Sequence, residues 1–219
     1  MRDRKRAREL AKDFIQRQDP LGWFEALYQE AKTNWSLVPW ADLAPNPNVL
    51  AWQARNRVDG KGKRALNVGC GLGDDAEELA SWGFEVVAFD ISSTAISLCR
   101  ERFPSSPVEY IAADLFDAPA SWRAGFDFVL ESYTLQVLPA AGRPEAIERI
   151  ASFVAPHGSV LAIARGREET DGLGEMPWPL TKAEFGLFEA AGLSCESWED
   201  FMDAEIPPVR RFRACYQRR

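Results

Sequence analysis

The sequence predicts an α/β fold, a mainly parallel sheet with helices on both faces. Three observations carry that prediction. From Lys63 onward, short apolar runs alternate with helix-patterned segments, as right-handed βαβ units require. The first run meets glycines at alternate positions, LNVGCGLGDD over residues 66–75, where the backbone must turn sharply and something can approach closely. The next two runs each end on an acid, FEVVAFD at Asp90 and PVEYIAAD at Asp114.

The elements follow in order. Asp19-Pro20 starts a helix whose Trp23, Phe24, Leu27 and Tyr28 share one face. The proline-rich VPWADLAPNP leads to another helix near Asn48. RALNVG is a strand, and DDAEELASWG is a helix that Asp74 can cap and Gly83 stops. FEVVAFD is a strand, ISSTAISLCRERF a helix broken by Pro104, and PVEYIAAD and FDFVLES are further strands. PEAIERIASFVAP is a helix with Pro144 in its first turn, and GSVLAIAR a strand. TKAEFGLFEAAG carries a capping box, Thr181 with Glu184, and stops at Gly192. LSCESWEDF and VRRFRACYQR are then two strands without a crossover helix, so they pair antiparallel. Residues 1–60 form a helical lid segment on a core of residues 61–219, in one domain overall.

With 219 residues, 46% hydrophobic and 27% charged, the chain can bury a substantial core. No apolar run approaches the roughly twenty residues of a membrane span. The charged start MRDRKRAREL lacks the apolar stretch of a secretory signal. A net charge of −7 argues against a broad nucleic-acid surface, and Arg2 to Lys12 reads as a solvated helix face. Cys70, Cys99, Cys195 and Cys215 form no CxxC pair and stand beside a single histidine, His157. No metal site is expected, and the cysteines read as small buried hydrophobes or inert thiols in a reducing, cytoplasmic setting. A monomer or weak homodimer is expected.

The glycine loop reads G-x-G-x-G and not the dinucleotide pattern G-x-G-x-x-G, because Asp74 follows Gly73. An aspartate suits the positive end of a helix but repels a pyrophosphate, so the loop favours a nucleoside-type ligand without phosphates. Asp90, at the same sheet edge, can accept hydrogen bonds from vicinal ribose hydroxyls. Asp114, followed by Leu115 and Phe116, suits an exocyclic amine and a flat purine. The competing structural role for both acids is capping of the helices that follow.

LNVGCGLGD, VVAFD and AADLF resemble the first three motifs of the class I S-adenosylmethionine-dependent methyltransferases. The resemblance implies a Rossmann-like seven-stranded sheet with an antiparallel last strand, and S-adenosylmethionine as cofactor. It implies that Gly69, Gly71 and Gly73 approach the methionine part, Asp90 the ribose, and Asp114 with Leu115 the adenine, with Cys70 and Ile91 also at the cofactor. The family often has an acid two residues before the first glycine, where this chain has Asn67. WFEALYQEAKTNWSLVPWADLAPNPNVLAW and GEMPWPLTKAEF are similar to segments of thiopurine, thiol and halide methyltransferases and their tellurite-resistance relatives.

Methyl transfer from a sulfonium is an in-line displacement that needs alignment and a dry pocket. Aromatic faces accommodate the sulfonium charge, and Trp40 is the leading candidate. Trp23, Tyr28 and Trp178 are candidate substrate walls, with core packing as the alternative for the tryptophans. Glu131 and Tyr133, in ESYTLQVLP, are candidate catalytic groups, and Glu131 also a holder of the methionine amino group. The loop GREETDGLGEMPWP is a candidate mobile cover. His157 falls on the opposite edge, in a turn. The expected activity is methylation of a small molecule, first at sulfur, with oxygen, nitrogen or a halide or metalloid anion behind it. A nucleic-acid methyltransferase is disfavoured because ESYT replaces the Asn/Asp-Pro-Pro-Tyr/Phe motif. A non-catalytic cofactor-binding protein and a dinucleotide-dependent dehydrogenase are the remaining alternatives.

Overall fold

A computed structural model describes residues 4–32 and 34–219. The first residues of the basic N-terminal segment, and Thr33 in the lid, lie outside them. Three helices come first: α1 (Lys5–Gln16), α2 (Gly22–Ala31) and α3 (Pro47–Asn56). An alternating series follows: β1 (Arg64–Val68), α4 (Asp74–Ser81), β2 (Glu85–Asp90), α5 (Ser93–Arg102), β3 (Glu109–Ala112), β4 (Phe126–Ser132), α6 (Arg143–Phe153) and β5 (Val154–Arg165). Then come α7 (Lys182–Ala190), β6 (Ser194–Met202) and β7 (Arg210–Gln217).

The seven strands form one sheet in the order β3-β2-β1-β4-β5-β7-β6. β1 to β5 are mutually parallel, and β7 inserts antiparallel between β5 and β6. The chain winds outward from β1 through β2 to β3, then returns to the other side of β1 as β4. The crevice at the carboxyl ends of β1 and β4 is therefore the topological switch point, where open α/β sheets bind ligands.

Alternate residues of each strand face opposite layers. Leu66, Val129, Val160 and Phe212 pack with Ile147 and Ile150 of α6 and Phe185 and Phe188 of α7. Ala65, Phe128, Leu161 and Ile163 pack with Val49 and Trp52 of α3, Leu79 of α4 and Ile96 of α5. This parity decides which strand-end side chains reach the crevice.

The N-terminal helices are fastened to the core by polar contacts. The Glu25 carboxylate of α2 accepts hydrogen bonds from Ser92 Oγ (2.6 Å), Thr94 Oγ1 (2.6 Å) and Thr94 N (3.1 Å) at the start of α5. An acid there meets unpaired amides and the positive end of the helix dipole. Arg213 donates to the Asn48 carbonyl (2.6 Å) beneath α3. In the basic N-terminal segment, Arg6 pairs with Glu30, and Arg8 donates to the Met176 carbonyl, so part of it is a docking face.

Several local expectations shift. Asp19 does initiate a turn, its Oδ1 accepting from Gly22 N (2.9 Å), but α2 begins only at Gly22. Asp74 does not cap α4. Gly73 takes the cap position with φ +88°, and Asp74 forms a two-point ion pair with Arg102 at 2.8–2.9 Å. β5 begins at Val154 with an irregular register against β4, so His157 (φ +63°) lies inside the strand range, away from the crevice. Cys195 is exposed, whereas Cys70 and Cys99 are buried. Among the described residues no helix is long and apolar enough to cross a membrane.

Candidate active site

A cavity of about 780 Å³ opens at the switch point, within the size range of small-molecule sites. Its floor is the glycine loop. Gly69 and Gly71 have φ +58° and +56°, a region L side chains rarely adopt. Space reinforces the requirement. A Cβ on Gly69 would stand 2.4 Å from Thr134 Oγ1, and one on Gly71 3.2 Å from Tyr28 Oη. Gly69, Cys70 and Gly71 line the cavity. Gly73 does not; its missing Cβ makes room for the Tyr110 hydroxyl at 2.6 Å.

Asp90, at the end of β2, is 7% exposed and lines the cavity with Ile91. Its Oδ2 accepts from Gly71 N (3.0 Å) and its Oδ1 from Ser92 N (2.9 Å). Each oxygen keeps acceptor capacity beyond these bonds. Burial pushes the carboxyl up to about 6, against the amides of Ser92 and Gly71 that favour its charged form. The cap of α5 is Ser92 Oγ, which accepts from Ala95 N, so capping does not account for Asp90. Asp114 combines both roles considered for it. Its Oδ1 accepts from Phe116 N (2.8 Å), closing a short turn, while Asp114, Leu115 and Phe116 all line the cavity.

The roof is aromatic. Trp40 lines the cavity above Gly71, and its Nε1 donates to Tyr28 Oη (2.8 Å), itself on the wall. Trp23 is fully buried behind them, stacked on Phe24 at 3.9 Å and edge-on to Trp40 at 5.9 Å. It supports the wall, and Phe24 occupies the lining place expected of it. Trp178 also lies behind. Its N–H donates to the Gln136 carbonyl and its carbonyl accepts from Arg143. From that loop Pro177 reaches the cavity. Of the candidate cover, Arg167 donates to the Pro179 and Asp171 carbonyls and Arg8 to the Met176 carbonyl, while residues 168–175 are exposed.

The turn after β4 separates the two candidate catalytic groups, because Tyr133 lies beyond the strand end with φ +70°. Glu131 points to the α6–α7 layer and has no exposed surface. Its Oε1 accepts from Thr134 N (2.8 Å) and Leu135 N (2.9 Å), and its Oε2 has no partner. Burial pushes this acid up to about 7. It braces the turn after β4, outside the cavity lining. Tyr133, at φ +70°, does line the cavity. Its Oη accepts from Asn48 Nδ2 (2.8 Å), and the Arg211 guanidinium lies 4.4 Å from its ring centre. Burial raises the phenol above its ordinary value, which holds its proton on and disfavours a role as a base.

Other lining residues carried no sequence motif. Asn46 caps α3, donates through Nδ2 to Ser132 Oγ (2.8 Å) and through N to Asp75 (2.7 Å). Burial pushes Asp75 up to about 6. The end of β6 and the β6–β7 loop contribute Phe201 to Ile206, and β5 and β7 contribute Arg165 and Arg211. A signal for the arginines did exist: strand parity at the end of β5 and the start of β7, readable once the antiparallel tail was in hand. Among the described residues no group of histidine, cysteine or acidic side chains could hold a metal ion.

Glycines after β1, an acid at the end of β2 and another just after β3, and an aromatic roof meet over one crevice, the arrangement implied by the resemblance to class I S-adenosylmethionine-dependent methyltransferases. Residues 65–158 match the model of a methyltransferase domain family. Over 117 residues the chain is 32% identical to a ubiquinone biosynthesis O-methyltransferase of Aromatoleum aromaticum, covering 52% of this chain and 49% of that protein. Over 140 residues it is 27% identical to a probable thiol methyltransferase 2 of Arabidopsis thaliana, covering 61% and 59%. The chain spans about half the length of the curated relatives it matches. Its fold is similar to that of a TehB-like S-adenosylmethionine-dependent methyltransferase from Corynebacterium glutamicum, with a TM-score of 0.65 at 17% identity, covering 89% of this chain and 99% of that one.

Proposed function

We propose that the protein transfers the methyl group of S-adenosylmethionine to a small molecule, first of all to sulfur. The observation that carries this is the single cavity edge on which the glycine loop, Asp90, Asp114 and Trp40 meet. The residues fit the cofactor. Asp90 would hold the ribose hydroxyls through its remaining acceptor capacity. Asp114 would accept from the adenine amine beside Leu115 and Phe116. The loop Gly69–Gly71 would pass close under the methionine part, and Trp40 with Tyr28 would face the sulfonium. The cofactor supplies the activated methyl group; the chain supplies alignment and exclusion of water.

Two observations favour a sulfur acceptor. No histidine lines the cavity, the Tyr133 phenol is held protonated, and Glu131 lies behind the sheet, so none of these is placed as a general base. A thiolate needs none, whereas most hydroxyl acceptors do. The likeness to a probable thiol methyltransferase agrees with this. An oxygen or nitrogen acceptor would have to draw on a lining carboxylate that the cofactor and the ion pairs leave over, such as Asp42 or Asp75. The test is calorimetric titration with S-adenosylmethionine and S-adenosylhomocysteine, then a product screen against small thiols, phenols, amines and halides. Tight cofactor binding with turnover on thiols is the expected result. Turnover confined to phenols or amines would move the acceptor to oxygen or nitrogen, and absence of cofactor binding would end the proposal.

A further inference from the structure

The far end of the cavity carries a charge arrangement that methyl transfer by itself does not require. Arg165 ends β5 and Arg211 lies in β7, and they are direct cross-strand partners. Parity puts both on the α3 side of the sheet, and both line the cavity. Like charges placed directly opposite on a sheet repel and destabilise it. Arg4 lines the same end.

The compensation is incomplete. Arg211 is 1% exposed and is paired through Nε with Asp203 and through Nη2 with Glu205. Its Nη1 is buried without a partner. Arg165 forms no ion pair among the described residues, and its Nε is likewise buried and unpartnered. Burial, and after it the charges of Arg4 and Arg211, push Arg165 down to about 10. Three arginines therefore face two acids. Arg165 is half-buried with no ion-pair partner among the described residues, and an anion in the cavity would relieve the arrangement.

Apolar and aromatic lining lies next to these arginines: the Tyr133 ring against Arg211, Phe201 as its cross-strand partner, and Met202 and Ile206 flanking Asp203 and Glu205 in the chain. Met202 and Ile206 are 60% and 91% exposed and offer apolar surface at the cavity rim. An inorganic oxyanion would use the arginines and leave those walls idle. Resting on the methyltransferase reading above, we infer that the methyl acceptor is an organic acid, its carboxylate held by Arg165 with Arg211 behind it and its apolar body lying against Tyr133 and the β6–β7 loop. The carboxylate would fix the distal end of the acceptor and leave its nucleophilic atom directed back toward Trp40.

The test uses the full chain, with and without S-adenosylhomocysteine. Benzoate, phenylacetate and 3-phenylpropionate are each titrated against the corresponding amide by calorimetry, with sulfate as the inorganic control. At least one acid should bind about tenfold or more tightly than its amide, since a charge-assisted pair is lost with the amide. Arg165→Gln should erase that preference and Arg165→Lys should keep most of it, with S-adenosylhomocysteine affinity unchanged in both. Because Arg165→Gln removes a like-charge pair, its ligand-free form should unfold at or above the wild-type temperature. No acid outbinding its amide, a preference that survives Arg165→Gln, or sulfate binding more tightly than every acid would each overturn the inference. Loss of S-adenosylhomocysteine binding in the wild type would instead strike the methyltransferase reading, while the acid–amide comparison still reports on the arginines.

Discussion

At the residue scale, Asp90 and Glu131 have similar surroundings and different jobs. Both are buried acids pushed upward by desolvation, to about 6 and about 7. Asp90 keeps a face on the cavity and Glu131 does not. Asp90→Asn should weaken S-adenosylmethionine binding about 100-fold, because a charged acceptor for two hydroxyls is replaced by a neutral group carrying a donor. Cooperative unfolding should persist, and unchanged affinity would remove the ribose assignment. Wild-type affinity should also fall as pH drops through about 6, since the protonated carboxyl loses acceptor capacity. Glu131 should behave as a brace. Glu131→Gln retains an acceptor for Thr134 N and Leu135 N and should leave turnover within about threefold. Glu131→Ala strands both amides and should cost about 2 kcal/mol in urea unfolding. A large kcat loss in a fully folded Glu131→Gln would restore a catalytic role.

At the element scale, the roof depends on how α2 and α3 are fastened. Glu25 reaches across from α2 to three donors at the start of α5. Glu25→Ala should cost on the order of 2–3 kcal/mol and raise amide exchange in residues 22–31 above that of the sheet. Equal protection in wild type and variant would show that apolar packing of Trp23 and Leu27 alone holds α2 in place. The same helix carries Tyr28, which orients Trp40, so cofactor affinity should fall with it. On the other side of the roof, Asn46 joins the α3 cap, Ser132 and Asp75 in one small network, and so couples α3 to the ends of β4 and α4.

At the scale of the whole molecule, the buried acids set how stability follows pH. Asp90 and Glu131 have folded-state values raised above their ordinary 3.8 and 4.5. Groups shifted in that direction add stability below the ordinary value, and that stability is lost as pH rises through the folded value. Each shift is on the order of 3 kcal/mol. Glu25, Glu199 and Asp203 are shifted the opposite way and lose their contribution on acidification. The ligand-free protein should therefore be more stable near pH 5 than at pH 8 in denaturant titrations. Glu131→Gln should flatten the curve between the ordinary value of 4.5 and about 7, and an unaltered curve would assign the dependence to other groups.

The sequence by itself determined the alternating strands and helices, the antiparallel tail and the glycine–acid–acid order along one sheet edge. These are local signals: apolar period, helix stops, and residues that only certain backbone conformations or charges accept. The acids at strand ends were legible because a strand end in a parallel sheet has a known edge. Tertiary structure decided which neighbours of those signals face the ligand. Glu131 and Tyr133 are two residues apart, yet the turn after β4 sends one behind the sheet and the other into the cavity. Trp23 and Phe24 are adjacent, and helix packing buries the first and presents the second. Arg165 and Arg211 are 46 positions apart in the chain, and only the insertion of β7 beside β5 makes them face one another. Sequence periodicity fixes a residue's side of its own element; what lies on that side depends on which other elements the core brings there.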